Sequence, residues 1–253
     1  MPTVKLAGIV KYCDRALQLE GFRDWDGAVN GLQVENRGDV RRLAAAVDAS
    51  LATCQKAIQA GADLLIVHHG LFWGPSHPWT GRRYELIRLL LDHDLALYSA
   101  HLPLDAHPKW GNNILICKAL GLVAPEPFFE SKGRRIGYQA RAAIDREKLR
   151  GKLGSILGVA PLLIPGGPEV CRRIGVVSGG AGSELKQAAA EGVDTFITGE
   201  GPHWTYALAE ELGVNVFYGG HYATETFGVQ AVACAVGKRF QLPWCFVDHP
   251  TGL

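Results

Sequence analysis

Hydrophobic and polar positions along the chain follow two patterns, one typical of amphipathic helices and one typical of buried strands. Between residues 4 and 20 the apolar positions fall on one helical stripe, which predicts a helix. Short apolar runs then alternate with amphipathic segments, in the order strand 43–48, helix 51–60, strand 64–67, helix 84–92 and strand 95–99. This β-α-β-α-β order predicts an α/β fold with parallel sheets flanked by helices.

A stretch of the first half of the chain is repeated in the second half. Residues 42–70 align without a gap on residues 173–201, and each copy runs strand, helix, glycine stop, aspartate and strand. The likeness resumes after a single-residue gap. In both copies a strand ends in a histidine that is followed four residues later by a carboxylate: His101 with Asp105, and His221 with Glu225. The repeat predicts an internal duplication with two superposable α/β units.

The run Pro125-Glu126-Pro127 lies between the two copies and predicts the connection between two domains. We therefore expect a first α/β domain over residues 1–126 and a second over 127–253, with the C-terminal segment able to pack back on the first. In the second domain we expect a first strand and helix within 133–160, a helix over 227–240 and a final strand over 244–247.

Composition narrows the class of protein. Apolar residues make up 47% of the chain and charged residues 20%, as in globular proteins with a real core. The net charge of +1 argues against a surface that attracts nucleic acid or anionic lipid as a whole. No apolar run approaches the roughly 20 residues that cross a bilayer, and no secretory signal opens the chain. Six scattered cysteines predict buried thiols in a reducing compartment. We expect a cytoplasmic protein without membrane or nucleic-acid partners.

Histidines and carboxylates gather where predicted strands end. His68 and His69 end one strand, His101 a second and His221 a third. Ligands of α/β proteins bind at the carboxyl ends of strands, and imidazole with carboxylate suits zinc, manganese, iron or nickel. The pattern therefore predicts a metal site. Any one histidine taken alone can equally satisfy a buried polar group or cap a strand.

Side-chain directions constrain how these donors share ions. Neighbouring side chains on a strand point to opposite faces, so His68 and His69 are expected to serve two adjacent ions rather than to chelate one. His221 and Glu225 lie four residues apart at the start of a predicted helix and share one helix face. A carboxylate has two oxygens and can bridge two ions.

Four blocks of the sequence together resemble a known family. They are residues 63–70, 101–105, 198–200 and 220–225, and the polar runs at 30–34 and 112–113 fit as well. Over essentially its whole length the chain resembles the NIF-three-like proteins, also called GTP cyclohydrolase 1 type 2 homologs. Residues 26–30 depart from the Trp-Asp-Asn run common in that family, which leaves the roles of Trp25 and Asp26 open.

The resemblance implies two similar α/β domains with a dinuclear metal site at their junction, and a homo-oligomer that is usually a hexamer. Carried over residue by residue, it implies five ligands for two divalent ions (zinc, manganese or iron), with Glu225 as the bridge: His68, His69, Asp105, His221 and Glu225. The family name suggests ring opening of a guanine nucleotide.

Two functions fit such a site. Two close ions can lower the pKa of a bridging water and clamp a phosphoryl or ring-carbonyl oxygen, which favours a metal-dependent hydrolase of a nucleotide-like or phosphoester substrate. Five protein donors equally suit a non-catalytic metal-handling or regulatory binding protein. The sequence does not identify the small-molecule substrate.

Further residues near the strand ends are candidates for catalysis or substrate contact. Glu200 and His203 follow the repeat partner of the His68-His69 strand, where they can transfer protons or orient ligands, and His101 leads into Asp105. The glycine-rich segment 178–183 can hold a phosphate, or it can be an ordinary turn with Ser183 as a helix cap. Aromatic side chains can line a pocket for a flat ring or simply fill the core: Phe72, Trp73, Trp79, Trp204 and Tyr222.

Overall fold

A computed structural model describes residues 3–74 and 77–253 of the chain. Within them the first half contains, in chain order, β1 (Val4–Lys5), α1 (Leu6–Ala16), β2 (Gly31–Val34), β3 (Asp39–Val40), β4 (Leu43–Asp48), α2 (Leu51–Gln59), β5 (Leu64–His69), α3 (Arg82–Asp92), β6 (Ala96–Ser99), α4 (Leu102–Asp105) and α5 (Asn112–Ala119).

The second half contains β7 (Glu126–Ser131), β8 (Arg134–Asp145), α6 (Arg146–Leu157), β9 (Leu162–Pro165), β10 (Val170–Val176), a 3-10 turn (Ala181–Glu184), α7 (Leu185–Ala190), β11 (Thr195–Thr198), α8 (Thr205–Leu212), β12 (Asn215–Tyr218), α9 (His221–Phe240) and β13 (Trp244–Phe246). The predicted α/β class is confirmed. In the described ranges no helix combines the length and the apolar character that crossing a membrane requires.

The chain divides into two compact units. The first comprises Met1–Leu104 and Gly228–His249, and the second comprises Asp105–Phe227 and Pro250–Leu253. Asp105, which the sequence analysis assigns to the first domain, belongs to the second unit by its contacts.

The first unit is built on a five-stranded sheet of order β13-β4-β5-β6-β2, and β1 pairs separately with β3. The four strands from β13 to β6 run parallel, and β2 runs antiparallel to β6. Strands β4 and β5 are central in the sheet and are buried along almost their full length, as in parallel sheets whose faces are covered. Small and aliphatic side chains of the strands form one buried cluster with side chains of helices α2 and α3. The strands contribute Ala44, Ala46, Leu65, Val67 and Leu97, and the helices contribute Cys54, Ala57 and Leu90.

The second unit has a six-stranded mixed sheet of order β7-β8-β10-β11-β12-β9. Strands β10, β11 and β12 are parallel, whereas β7, β8 and β9 pair antiparallel with their neighbours. One sheet face packs on α5 and α6 through a buried cluster: Ile114, Ile116, Cys117, Leu149, Leu153, Tyr138, Ala140, Ile174, Val176, Ile197 and Phe217.

Strand order corresponds between the two units. In each, three parallel strands are flanked by an antiparallel strand that precedes them in sequence, β4-β5-β6-β2 in one and β10-β11-β12-β9 in the other. The glycines that follow α2 and α7 both have positive φ, +72° at Gly61 and +86° at Gly192. The same order of elements supports the predicted duplication, which stays a prediction.

An aspartate before the second parallel strand makes the same contacts in each unit. Asp63 accepts hydrogen bonds from the backbone N–H groups of Arg41 and Arg42. Asp194, its partner in the repeat, accepts them from Arg172 and Arg173. Both carboxylates therefore hold the backbone of the neighbouring chain segment at equivalent places in the aligned sequences, just before β4 in one unit and within β10 in the other.

Three predicted features differ from the structure. The N-terminal helix is shorter than 4–20, because Val4 and Lys5 pair with β3 and Gln18 takes a positive φ of 53° just after the helix. Strand β7 was not predicted, although an edge strand accommodates proline because it pairs on one side only. The sheets are mixed rather than wholly parallel; the tight turn at 132–133 can join β7 and β8 only as antiparallel strands.

Four of the six cysteines are buried and the other two, Cys234 and Cys245, are half-buried. Burial raises the pKa of Cys13, Cys54 and Cys117 to about 12 in each case. These three side chains stay as thiols at neutral pH and act as small apolar core residues.

We expect Asp63→Ala and Asp194→Ala each to destabilise the unit that contains the residue by about 1–3 kcal/mol, because backbone donors lose their acceptor. Urea denaturation followed by circular dichroism measures this. Asp92→Ala is the matched control: it removes only an exposed ion pair with Arg88 and should cost no more than about 0.5 kcal/mol. Equal, small losses in all three variants would contradict a structural role for the repeated aspartate.

Candidate metal centre

Three histidines meet at the carboxyl ends of two parallel strands in the first unit. His68 and His69 end β5, and His101 follows β6, its parallel neighbour. Ligand atoms of the three imidazoles lie within 4.8 Å of one another. Ring centroids are 4.9 Å apart for His68 and His69, 5.0 Å for His68 and His101, and 5.7 Å for His69 and His101. The cluster is dense enough to hold a metal ion.

Each of these rings is oriented by an acceptor at Nδ1. His68 donates its Nδ1–H to the carbonyl oxygen of Ala100 at 2.8 Å, since a carbonyl can only accept. His69 donates to Asp48 Oδ1 and His101 to Asp24 Oδ1, both at 2.8 Å. With the hydrogen on Nδ1, a neutral imidazole has its lone pair on Nε2. Metal-binding histidines are typically held in this way by a carbonyl or carboxylate.

A buried aspartate fixes the loop beside His101. The carboxylate of Asp24 is 4% exposed, and besides His101 it accepts hydrogen bonds from the Asn30 side chain and the Leu102 backbone N–H. Burial alone would raise the pKa of Asp24, but the hydrogen bond and charge of His101, together with Asn30 and the Trp25 N–H, lower it. Sequence reasoning gave Asp24 no role at the site, and it noted Asn30 only within the run 30–34 that fits the family, without a function.

Trp73 forms an aromatic wall beside the histidines. Its ring meets His101 edge-on at a centroid distance of 4.7 Å and His69 at 5.6 Å, while its Nε1–H donates to the Gly70 carbonyl oxygen. The other aromatic candidates differ: Phe72 packs edge-to-face on Trp79. Tyr222 is buried and Trp204 is exposed. Of the five, Trp73 is therefore the one that the structure brings against predicted ligands of the first unit.

A second set of donors lies in the second unit. His221 and Glu225 stand one turn apart at the start of α9, with His221 Nε2 at 3.3 Å from Glu225 Oε2. On its other nitrogen, His221 donates Nδ1–H to Glu200 Oε1 at 2.7 Å. Glu200 thus orients the ring, which is one of the two roles that the sequence suggested. His203 is exposed, and in the described structure its ring makes no hydrogen bond to Glu200 or His221.

Charge concentrates around His221. Burial alone would lower its pKa, but hydrogen bonding and charge from Glu225, and then from Glu200, outweigh burial and raise the pKa to about 9. Without a metal ion the ring is therefore a positively charged imidazolium, with a proton on both nitrogens, at neutral pH. A divalent ion would replace that proton in a setting that already favours positive charge.

Asp105 is buried among polar side chains of the second unit. Its Oδ1 accepts hydrogen bonds from Asn112 Nδ2 at 2.8 Å and Ser178 Oγ at 3.1 Å. The Ser178 backbone N–H in turn donates to Asn113 Oδ1. These contacts hold the carboxylate in one orientation, and they give the predicted Asn112-Asn113 pair a structural function.

The glycine-rich segment packs against the donors of α9. A Cβ on Gly179 would lie 2.3 Å from Glu225 Oε1 and 3.2 Å from His221 Nε2, and the residue has φ +69°. Its N–H donates to Thr224 Oγ1. Glycine is therefore required where the backbone meets the carboxylate. The predicted cap at Ser183 is wrong: this residue lies inside the 3-10 turn, and its hydroxyl donates to Glu184.

The donors fit divalent cations. Four imidazoles are oriented through Nδ1, two buried carboxylates are available, and the close backbone approach at Gly179 leaves space next to Glu225 that a Cβ would fill. Imidazole nitrogen with carboxylate oxygen suits zinc, manganese or iron, whereas magnesium and calcium prefer oxygen ligands alone.

Comparisons with known proteins show which sequences and structures the chain resembles. A model of the family described as Duf34/NIF3 (NGG1p interacting factor 3) matches residues 4–251. A protein named GTP cyclohydrolase 1 type 2 homolog from Deinococcus radiodurans is 44% identical over 247 residues, which cover 97% of this chain and 93% of that one. Its namesake from Archaeoglobus fulgidus is 40% identical over 250 residues, 99% and 100% of the two chains. The crystal structure of TTHA1606 from Thermus thermophilus has a TM-score of 0.92 at 39% identity, covering 99% and 100%.

We expect Gly179→Ala to lower the divalent-metal content of the reconstituted protein by about tenfold, because the added methyl group displaces the Glu225 carboxylate. Elemental analysis after dialysis measures the content. Gly180→Ala is the matched control, since a Cβ there meets nothing closer than 3.7 Å. Equal metal content in both variants would mean that Glu225 does not need its present position to bind metal.

Proposed function

Because the chain belongs to the Duf34/NIF3 family, we propose that it binds two divalent metal ions and uses them to hydrolyse a nucleotide-like or phosphoester substrate. The proposed ligands are those implied by the sequence resemblance, with Glu225 as the bridge: His68, His69, Asp105, His221 and Glu225. The observation that carries the proposal is the Nδ1 hydrogen bond that each histidine of the set makes. This bond orients the ring and leaves Nε2 as the atom that would bind the metal ion.

Bound ions would supply Lewis acidity and a water of lowered pKa. The residues of the chain would prepare that chemistry. Asp48 holds the ring of His69 and Glu200 holds the ring of His221. We propose that His101, which lies outside the ligand set, accepts a proton at Nε2 from the attacking water while Asp24 stabilises the resulting imidazolium. The Trp73 ring packs edge-on against the His101 ring.

His203 has no role in the proposed chemistry, because it is exposed and, in the part of the chain that the structure describes, its ring makes no hydrogen bond to Glu200 or His221. We further propose that the protein assembles as a homo-oligomer, a hexamer as the family resemblance implies, and that it works in the cytoplasm. Sedimentation of the purified chain measures the assembly, and a monomer at micromolar concentration would contradict it.

The experiment that tests the hydrolase is a substrate screen with metal-loaded protein. The chain is reconstituted with zinc, manganese or iron and assayed on nucleotides, including GTP, and on phosphoesters. Turnover should disappear in His69→Ala and persist in His93→Ala, a matched change at an exposed histidine after α3. Full metal content without turnover on any substrate would instead favour a metal-handling or regulatory binding protein.

We expect about two ions per reconstituted chain, and a different loss in each of two ligand variants. Glu225→Gln should lose both ions, because the proposed bridge touches both, whereas Asp105→Asn should mainly weaken one. Elemental analysis and calorimetric titration measure the stoichiometry. The bridging role is excluded if both changes remove the same single ion.

A further inference from the structure

Two arginines stand directly opposite each other in the sheet of the second unit. Arg141 on β8 and Arg173 on β10 are cross-strand partners in the antiparallel pair. Side chains of such partners leave the sheet on the same face, and like charges placed there repel each other. Among the described residues, no carboxylate forms an ion pair with either guanidinium. The pair thus concentrates positive charge that no ion pair among the described residues neutralises.

The two arginines line a cavity of about 270 Å³. The rest of its wall is formed by Glu126, Gln139, Ala140 and the segment 123–124. Gln139 precedes Arg141 by two residues on β8 and lies across from Glu126 of β7, so their side chains share the face that carries the arginines. A cavity of this size accommodates a phosphate group with room for part of the molecule that carries it.

The Arg173 guanidinium is held in position before any ligand arrives. Its Nε–H donates to Gln139 Oε1 at 2.9 Å. Its Nη1 lies only 2.8 Å from the point where Gly192 would carry a Cβ, so the absence of a side chain at Gly192 makes room for the guanidinium. A side chain that is already ordered loses little entropy on binding, which favours recognition.

The internal repeat shows that the fold itself does not require this arrangement. Arg42 and Gly61 occupy the positions that align with Arg173 and Gly192. A Cβ on Gly61 would meet nothing within 4 Å, whereas one on Gly192 would meet the arginine. Both glycines follow a helix and have positive φ. Of the two, Gly192 alone also makes room for a guanidinium group.

We propose that Arg141 and Arg173 form a binding site for a phosphate group, separate from the residues of the metal centre. Two guanidinium groups match the double negative charge of phosphate, and their planar arrays of N–H donors suit its oxygens. Glu126 lines the same cavity and opposes an anion there, so affinity is moderate and depends on that carboxylate.

The test titrates inorganic phosphate into the metal-free, full-length chain by calorimetry at constant ionic strength. Arg141→Gln and Arg173→Gln should each weaken binding by about tenfold, and Glu126→Gln should strengthen it. Arg172→Gln is the matched control: it removes the same charge from the neighbouring residue, which does not line the cavity. His69→Ala should bind phosphate as the wild type does. Acetate should bind more weakly than phosphate.

Wild-type affinity in Arg141→Gln would overturn the proposal. Arg141 is exposed, so its substitution should not disturb folding, and this variant keeps the test decisive if Arg173→Gln fails to fold. An equal loss in Arg172→Gln would show a general effect of charge instead of a site. Loss of binding in His69→Ala would assign the phosphate to the metal centre. Acetate binding as tightly as phosphate would remove the phosphate assignment.

Discussion

The parallel pairing of β5 with β4 and β6 is the constraint on which the histidine cluster depends. In that register His69 is the direct partner of Asp48 on β4, so the sheet itself delivers the carboxylate to the imidazole. On the other side Val67 is paired with Ser99, which brings the Ala100 carbonyl beside His68. A shift by one residue would turn every side chain of β5 to the opposite face. Strand register therefore determines both the orientation of the rings and the nitrogen that carries the lone pair.

The second unit uses the same arrangement of strands to a different end. Gly199 and Glu200 align with His68 and His69 in the repeat. A Cβ on Gly199 would lie 2.7 Å from the Gly179 carbonyl oxygen and from His221 Cα, so no side chain fits where the first unit has a histidine. Glu200 instead orients His221, which stands on the following helix. The candidate histidine donors thus come from strand ends in one unit and from a helix start in the other.

The two charged clusters of the second unit carry charges of opposite sign. Around His221, Glu200 and Glu225 supply negative charge, which attracts a cation. On β8 and β10, Arg141 and Arg173 supply positive charge, which attracts an anion. In the first half of the chain Arg42 aligns with Arg173, and a Cβ added to Gly61, which aligns with Gly192, would have no neighbour within 4 Å. Glu200 thus differs in residue type from its partner in the repeat, whereas Arg173 keeps the residue type and differs in its surroundings.

The sequence alone determined the order of strands and helices around the repeat, the family, and the candidate donors at the strand ends. Those features depend on local periodicity, on glycine stops and on residue order, all of which can be read along the chain. Only the tertiary structure decided which partner orients each donor: Asp24 for His101, Asp48 for His69, Ser178 for Asp105 and Gly179 beside Glu225. These pairs lie far apart in sequence and carry no pattern, because strand register and loop closure, rather than local preference, bring them together.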